Sequence, residues 1–271
     1  MEIEFKASAY TVKGDLYDIS VLPSCNILVT DRWNKSVKVF DVRNGRLLSN
    51  VQLPGEPWRV CLLPGDRAAV LLPDWGVTLI QILDVSTDQP KLLDSVNVKG
   101  WCSGLAYINY KFIVYLSDEK CLASINVAGK RLKSVSNDYS GNQLLSLTQY
   151  ICVATANTVP SVYVADSTII TQLSEELQVL RTFRPRAHYW PHGLAAVGGG
   201  QLIVTGIILG KPTLLVLNTI TGKFTELLSK DPDDEDWWYG LNVAFCPRLG
   251  RVYVNVRTYC KVDLIAVYEI A

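Results

Sequence analysis

Several classes of protein are excluded by what this chain of 271 residues lacks. It has no net charge at pH 7, since 26 Lys and Arg balance 26 Asp and Glu, whereas a globally basic nucleic-acid binder would show an imbalance. It has no apolar run of about 18 residues, and its N-terminus lacks the basic start and apolar core of a signal peptide. We therefore expect neither a DNA nor a membrane partner.

Cysteine and histidine do not form a recognisable metal or disulfide pattern. The seven cysteines are an odd number and include no C-x-x-C pair, which argues against a disulfide framework or a zinc knuckle. With only two histidines, His188 and His192, a multi-histidine zinc site is excluded. We interpret the cysteines as free thiols in a reducing compartment and predict a cytoplasmic location.

Helical periodicity is nearly absent, and the composition favours strands. Apolar residues make up 49% of the chain and charged residues 19%, which rules out disorder. A short apolar motif that ends in valine recurs six times at intervals of about 40 to 50 residues. These valines are Val29, Val70, Val114, Val164, Val204 and Val254. The interval is typical of the four-stranded blade of a β-propeller.

We predict an all-β fold, a six-bladed β-propeller that forms a single domain over residues 1–271. The sixth unit ends before a fourth strand, and the strand at residues 3–9 has no unit of its own. We therefore expect the N-terminal strand to complete the last blade and close the ring, which makes the domain complete. The predicted blades are 16–53, 54–98, 99–137, 138–183, 184–229, and 230–271 with 2–10.

Two of these units resemble a known repeat. The segment 27–41 resembles the repeat of NHL-type propellers, and Val162–Asp166 followed by Leu180–Phe183 resembles it again, whereas blade 5 has Gly206 where the repeat places an Asp. The resemblance implies a substrate-recognition or RNA-binding domain similar to the C-terminal domain of tripartite-motif (TRIM-NHL) proteins. In that family a ubiquitin-ligase module lies upstream, so a longer natural protein would carry that activity and the propeller itself would not.

The tryptophans are predicted to lie on one face. If strands alternate in direction, the loops between second and third strands emerge on the same face as the blade-to-blade connections. All seven tryptophans fall in these segments: Trp33, Trp58, Trp75, Trp101, Trp190, Trp237 and Trp238. Exposed aromatic loops on a rigid scaffold are typical of binding surfaces. The alternative is that these rings wedge between adjacent blades as core.

Charges of both signs accompany the tryptophans. Arginines suit phosphate, base stacking or acidic peptide, but the acidic insertion 231–236 and Asp31, Asp74, Asp118 and Asp166 would rim the same surface and repel a polyanion. We predict a protein or peptide partner, with RNA on the same face as the alternative. The predicted binding residues are Arg32, Trp33, Trp58, Arg59, Trp75, Trp101, His188, Trp190, His192, Trp237, Trp238, Tyr239 and Arg257.

The predicted channel positions do not favour catalysis. They are Asp18, Arg59, Ser103 with Gly104, Gln143, His192 and Asn242. One carboxylate beside an arginine makes a poor cation cage, and no cysteine has a histidine within a recognisable catalytic motif. We predict no catalytic residue, metal or cofactor. A metal-dependent propeller hydrolase or lyase is the remaining alternative, with His192 as its candidate general base.

Overall fold

The computed structural model describes residues 8–137, 140–145, 150–156, 159–186, 188–209, 211–229, 239–257 and 262–269. Within these ranges, only the backbone is described at 8–13, 156, 229, 239–241, 256–257 and 262–264. The described residues form strands, turns and loops without a helix, and the strands assemble into six antiparallel sheets of four. None of the described segments is a helix that could span a membrane.

The first three blades follow one another in the chain after strand β1 (Ser8–Lys13), which belongs to blade 6. Blade 1 contains β2 (Leu16–Val21), β3 (Ile27–Asp31), β4 (Ser36–Phe40) and β5 (Leu47–Gln52). Blade 2 contains β6 (Arg59–Leu63), β7 (Arg67–Leu72), β8 (Val77–Asp84) and β9 (Lys91–Lys99). Blade 3 contains β10 (Cys102–Ile108), β11 (Lys111–Leu116), β12 (Cys121–Asn126) and β13 (Arg131–Val135).

The last three blades repeat this order, except that the sixth takes its outer strand from the N-terminus. Blade 4 contains β14 (Tyr150–Ala156), β15 (Val159–Asp166), β16 (Ile169–Leu173) and β17 (Val179–Phe183). Blade 5 contains β18 (Tyr189–Gly198), β19 (Gln201–Ile208), β20 (Lys211–Asn218) and β21 (Phe224–Ser229). Blade 6 contains β22 (Tyr239–Cys246), β23 (Arg251–Arg257), β24 (Val262–Glu269) and β1.

The ring is closed by the two ends of the chain. β1 pairs with β24 in antiparallel register from Ser8 opposite Val267 to Lys13 opposite Val262. The inner strands of neighbouring blades contact each other in sequence, and β2 of blade 1 contacts β22 of blade 6. The predicted six-bladed propeller closed by its N-terminal strand is therefore confirmed.

The hydrophobic core consists of six clusters, each of which lies between two adjacent blades. In β3, Ile27 and Val29 pack toward blade 6, whereas Leu28 packs toward blade 2. Since both faces of a blade are buried, its middle strands need apolar residues at successive positions rather than in alternation. This requirement explains why the recurring valine motif has consecutive apolar residues and marks the second strand of each blade.

Gly206 departs from the repeat for a steric reason. A Cβ at this position would clash with the carbonyl oxygen of Trp190 and with the ring of Tyr189. Tyr189 is fully buried, and its hydroxyl donates to the carbonyl of Val204 at 3.1 Å. A side chain at position 206 would therefore displace the buried ring of Tyr189, which explains why this blade has glycine where blades 1 and 4 have Asp31 and Asp166.

Candidate protein-binding face

One face of the ring, here called the upper face, carries the loops between second and third strands and the connections between blades. Trp33 lies between β3 and β4, and Trp75 lies between β7 and β8. Trp58 and Trp101 immediately precede the inner strands β6 and β10, and Trp190 lies at the start of β18. Trp237 and Trp238 lie outside the described residues.

The five described tryptophans differ in exposure. Trp75 is 88% exposed, Trp33 is 61% exposed and Trp190 is 59% exposed. Trp58 and Trp101 are half-buried at the junctions between blades. Two of the described rings are therefore half-buried between blades, and three project into solvent.

Four aromatic rings form a continuous row across blades 1 to 3. Tyr17 lies 5.3 Å from Trp58, Trp58 lies 5.5 Å from Trp101 in an edge-to-face arrangement, and Trp101 lies 5.4 Å from Trp75, measured between ring centroids. These separations are those of favourable aromatic pairs. We call Tyr17, Trp58, Trp101 and Trp75 the aromatic row.

Backbone hydrogen bonds hold the row in place. The amide of Trp58 donates to the carbonyl of Leu71 at 2.8 Å. The amide of Trp101 donates to a carboxylate oxygen of Asp118 at 3.0 Å. Because the main chain at two of the rings is bonded to the neighbouring strands and loops, binding to this surface would order few additional groups.

Arg32 stabilises the inner end of the row. Its guanidinium carbon lies 4.9 Å from the ring centroids of both Tyr17 and Trp58, within the range of cation–π attraction. The same guanidinium is 3.8 Å from a carboxylate oxygen of Asp15 and 3.7 Å from one of Glu56. The charge of Arg32 is thus already shared with two carboxylates and two rings.

Arg59 does not lie on the surface, contrary to its prediction as a binding residue. The residue is only 3% exposed, and its guanidinium lies 4.7 Å from the Tyr17 centroid and 4.3 Å from the Tyr150 centroid. Its Nε donates to the carbonyl of Ser103 at 3.2 Å. Arg59 therefore fills the upper mouth of the channel, because two aromatic rings and a backbone acceptor from three other blades surround it.

The channel-mouth position of blade 4 is also corrected. The sequence pattern predicted Gln143 at this position, but the inner strand β14 begins at Tyr150, and Gln143 lies in the connection before it. The side-chain amide of Gln143 donates to the carbonyl of Leu145 at 2.7 Å within that connection. Tyr17 and Tyr150 lie at equivalent positions, at the starts of the inner strands β2 and β14. The sequence pattern did not predict them as site residues, because only the positions of the tryptophans were compared between blades.

Asp18 ties blade 1 to blade 2 at the channel mouth. Its carboxylate accepts hydrogen bonds from the amides of Val60 and Ile19, both at 2.9 Å. Burial raises the pKa of Asp18 to about 6, although the neighbouring Arg59 and the two amides oppose the shift. The carboxylate is thus engaged in bonds between blades.

Below this mouth the inner strands enclose a cavity of about 460 Å³. Its lining includes two thiols, Cys61 and Cys152. Burial raises the pKa of both thiols, that of Cys152 to about 12, so both stay protonated near neutral pH. Across the part of the chain that the structure describes, no cluster of three or more His, Cys, Asp or Glu is arranged to hold a metal ion.

A second pocket, of about 330 Å³, lies on blade 5 and is lined by His188, Trp190, His192, Ile207 and Leu209. His188 is exposed, whereas His192 is half-buried and stacks on Tyr150 with their centroids 6.4 Å apart. Burial lowers the pKa of His192, which favours the neutral imidazole. The structure thus brings the two predicted histidines together with Trp190, apart from the aromatic row.

The four aspartates expected to rim the face divide into two classes. Asp74 and Asp118 are exposed, as predicted. Asp31 and Asp166 are instead buried, with exposures of 0% and 4%, so they do not contribute to the surface charge. Asp31 closes its loop by accepting hydrogen bonds from the amide and side chain of Asn34 and from the buried amine of Lys38.

The last two predicted binding residues are described only through their backbone. Tyr239 of β22 pairs directly with Arg257 of β23 in blade 6. Both therefore lie at the ends of their strands, and the predicted acidic insertion 231–236 lies outside the described residues.

Comparison with known proteins identifies the fold and no family. No family model matches the chain, and no curated protein matches it. The structure of the RRP9 WD40 repeats is similar with a TM-score of 0.66 at 13% identity, covering 99% of this chain and 100% of that chain.

Two enzymes also share the fold. The PQQ-bound aldose sugar dehydrogenase from Streptomyces coelicolor has a TM-score of 0.64 at 12% identity, covering 98% of this chain and 99% of that chain. Virginiamycin B lyase from Staphylococcus aureus has a TM-score of 0.62 at 11% identity, covering 97% and 99%. These similarities establish a β-propeller, a fold that WD40 domains share with enzymes, so the fold alone does not determine the function.

Proposed function

We propose that this propeller is a non-catalytic recognition domain that binds a segment of another protein along the aromatic row. The observation that carries the proposal is the continuity of Tyr17, Trp58, Trp101 and Trp75 across three blades, from a ring held by Arg32 to one that is 88% exposed. Tryptophan and tyrosine supply most of the binding energy in many protein interfaces because they offer large area at low entropic cost.

The charges beside the row favour a partner segment that carries Lys or Arg. Asp74 precedes Trp75, and Asp118 is bonded to the amide of Trp101. Among the described residues neither carboxylate makes an ion pair, whereas Arg32 is paired with Asp15 and Glu56. A cation on the partner would complement these two exposed carboxylates.

The same charges weigh against RNA, the alternative partner. RNA binding depends on several free Lys or Arg side chains that neutralise phosphates. Arg59 is buried under the face and Arg32 is already paired, so two of the three predicted binding arginines are engaged within the protein. A polyanion would also meet Asp74 and Asp118.

A catalytic role has less support than recognition. The buried thiols have raised pKa values, Asp18 is engaged with two backbone amides, and the described hydrogen bonds give His192 no carboxylate to orient it as a general base. The NHL-like residues of blades 1 and 4 support a substrate-recognition role similar to that of TRIM-NHL propellers. The odd number of cysteines without a disulfide pattern supports a cytoplasmic location for the protein.

Selection from a display library of random peptides of about 12 residues tests the proposal. Peptides enriched on the wild type are measured by fluorescence anisotropy against Trp75→Ala and Trp101→Ala. We expect each substitution to weaken binding by about 10- to 30-fold, corresponding to roughly 1.4–2 kcal/mol. Asp74→Asn should weaken only peptides that contain Lys or Arg, by about threefold.

Tyr110→Ala is the matched control, because Tyr110 is 79% exposed but lies in the turn between β10 and β11 on the opposite face. The Tyr110→Ala variant should bind the selected peptides with the same affinity as the wild type. The proposal fails if no peptide is enriched, or if enriched peptides bind the tryptophan variants as well as the wild type. Binding of a random RNA pool tighter than about 10 μM at physiological salt would favour RNA instead.

A further inference from the structure

The blade 5 pocket, with a volume of about 330 Å³, is lined by large apolar side chains that water reaches. Trp190 is 59% exposed, Leu209 is 74% exposed and Ile207 is partly exposed. The pocket lies on the upper face, since Trp190 is at the start of the inner strand β18 and Leu209 follows β19. Exposed apolar side chains that surround a concavity, rather than lying scattered, indicate a contact site.

A β-bulge places His192 in the wall of this pocket. Pro191 and Gly193 of β18 pair with consecutive residues of β19, so His192 between them is an extra residue in the register. Bulges re-aim a side chain and are frequent beside functional sites. The Nδ1 atom of His192 is buried and has no hydrogen-bond partner among the described residues, and the ring stacks on Tyr150. The imidazole therefore contributes a packing surface to the pocket.

The backbone at Leu209 is unfavourable for leucine. Its φ is 49°, in the left-handed region that glycine and asparagine adopt far more readily. A position selected for stability alone would carry one of those residues and would not expose an apolar side chain to water. The coincidence of both costs in one pocket residue indicates that this side chain is retained for contact with another molecule.

Ring contacts connect the pocket to the aromatic row across the channel mouth. The rings of His192 and Tyr150 are 6.4 Å apart between centroids. The guanidinium carbon of Arg59 is 4.3 Å from the Tyr150 centroid and 4.7 Å from the centroid of Tyr17, the inner end of the row. Since an extended segment advances about 3.3 Å per residue, roughly five residues cover this path. One short segment is therefore long enough to contact both the row and the pocket.

We propose that the blade 5 pocket receives a bulky apolar side chain of the protein segment that binds along the aromatic row, about four to six residues from the one that contacts Tyr17. This inference rests on the proposed function and adds a second anchor to it. A leucine, isoleucine, methionine or phenylalanine side chain would cover Trp190 and Leu209 and exclude water from both. A charged side chain would be disfavoured, because the described lining includes no carboxylate, lysine or arginine to pair with it.

Leu209→Gly tests the proposal, because glycine suits a φ of 49° and the substitution removes only an exposed side chain. The Tm of this variant should equal or exceed that of the wild type, so a loss of binding would not reflect unfolding. For peptides selected from the 12-residue library, we expect fluorescence anisotropy to show binding weakened by about tenfold. Tyr110→Gly is the matched control, since Tyr110 has a φ of 62° and is 79% exposed on the opposite face. This control should bind like the wild type.

The peptide is varied in parallel. Replacement of its apolar anchor by alanine should weaken binding to the wild type by about tenfold, but binding to Leu209→Gly by less than about twofold, because the partner side chain is already missing. Removal of three residues between the two anchors should weaken wild-type binding to the same extent as the alanine replacement, because the shortened segment no longer spans the path.

The outcomes separate this inference from the proposed function. Peptides that bind Leu209→Gly as tightly as the wild type but bind Trp101→Ala weakly would overturn the role of the pocket and leave the aromatic row supported. Peptides that bind Leu209→Gly weakly but bind Trp101→Ala as tightly as the wild type would overturn the proposed function, and with it the shared segment. Enrichment of no peptide would overturn both, and an equal loss with Tyr110→Gly would overturn the assignment to the pocket.

Discussion

Among single residues, the buried aspartates at the upper ends of the blades stabilise loops, whereas the sequence pattern predicted them on the exposed face. Asp31 accepts hydrogen bonds from Asn34, from the amide of Asp15 and from Lys38, and both members of its ion pair are buried. Burial would raise the pKa of Asp31, but the bonds from Lys38 and Asn34 outweigh it and hold the pKa below its usual value of 3.8. Asp31 therefore organises the loop that presents Trp33.

We predict that Asp31→Ala destabilises the protein by about 3–5 kcal/mol, because it removes a buried carboxylate from Lys38. Urea denaturation at pH 7 measures this. Asp74→Ala, at the exposed aspartate of the corresponding loop in blade 2, should change stability by less than about 0.5 kcal/mol. Equal effects of the two substitutions would contradict the structural role given to Asp31.

The raised pKa of Asp18 makes its contribution to the free energy of unfolding depend on pH with the opposite sign to that of Asp31. Because the pKa of Asp18 rises from 3.8 to about 6 on folding, the protonated form favours the folded state; this contribution is complete below about pH 3.8 and is lost as pH rises through 6. For Asp31, whose folded pKa is lowered, stability is present above 3.8 and is lost as the pH falls below it.

The Asp18 contribution is isolated by comparison with Asp18→Asn, which stays neutral. We expect the free energy of unfolding of the wild type, relative to this variant, to decrease by about 2 kcal/mol between pH 4 and pH 7. The lowered pKa of His192 acts in the other direction but is common to both proteins and cancels. Parallel pH profiles for the two proteins would show that burial does not dominate at Asp18.

At the scale of strands, ring closure is the element that the sequence predicted most clearly. The missing fourth strand of the last unit and the unassigned strand at the N-terminus pointed to the pairing of β1 with β24. The valine motif located the second strands because both faces of each blade are buried. The inner strand of blade 4 was misplaced, since the apolar Leu144 and Leu145 that precede it are also buried and resemble a strand.

We predict that deletion of residues 1–13 leaves a chain that aggregates, because the backbone edge of β24 becomes unpaired. A synthetic peptide of residues 1–15 added during refolding should restore a monomer, as judged by size-exclusion chromatography. A scrambled peptide of the same composition is the control. A monomeric, folded deletion variant without added peptide would contradict the closure mechanism.

In the whole molecule, 26 cations balance 26 anions, and the charge of Arg32 on the upper face is also balanced locally by two carboxylates. The pairing of Arg32 with two carboxylates and the burial of Arg59 leave the aromatic row beside exposed aspartates. Sequence patterns placed the tryptophans on one face, because topology alone decides which loops emerge together. They could not show which arginines are buried, because depth in the ring depends on contacts between blades that are distant in the chain.

Hydrogen–deuterium exchange of the protein with and without a selected peptide shows whether the peptide binds along the aromatic row. We expect the peptide to slow exchange in the segments that carry the three tryptophans of the row, 54–58, 73–77 and 99–101, and to leave the opposite-face turns at 64–66 and 109–110 unchanged. Slowed exchange confined to the opposite-face turns, or to the blade 5 pocket, would contradict binding along the row.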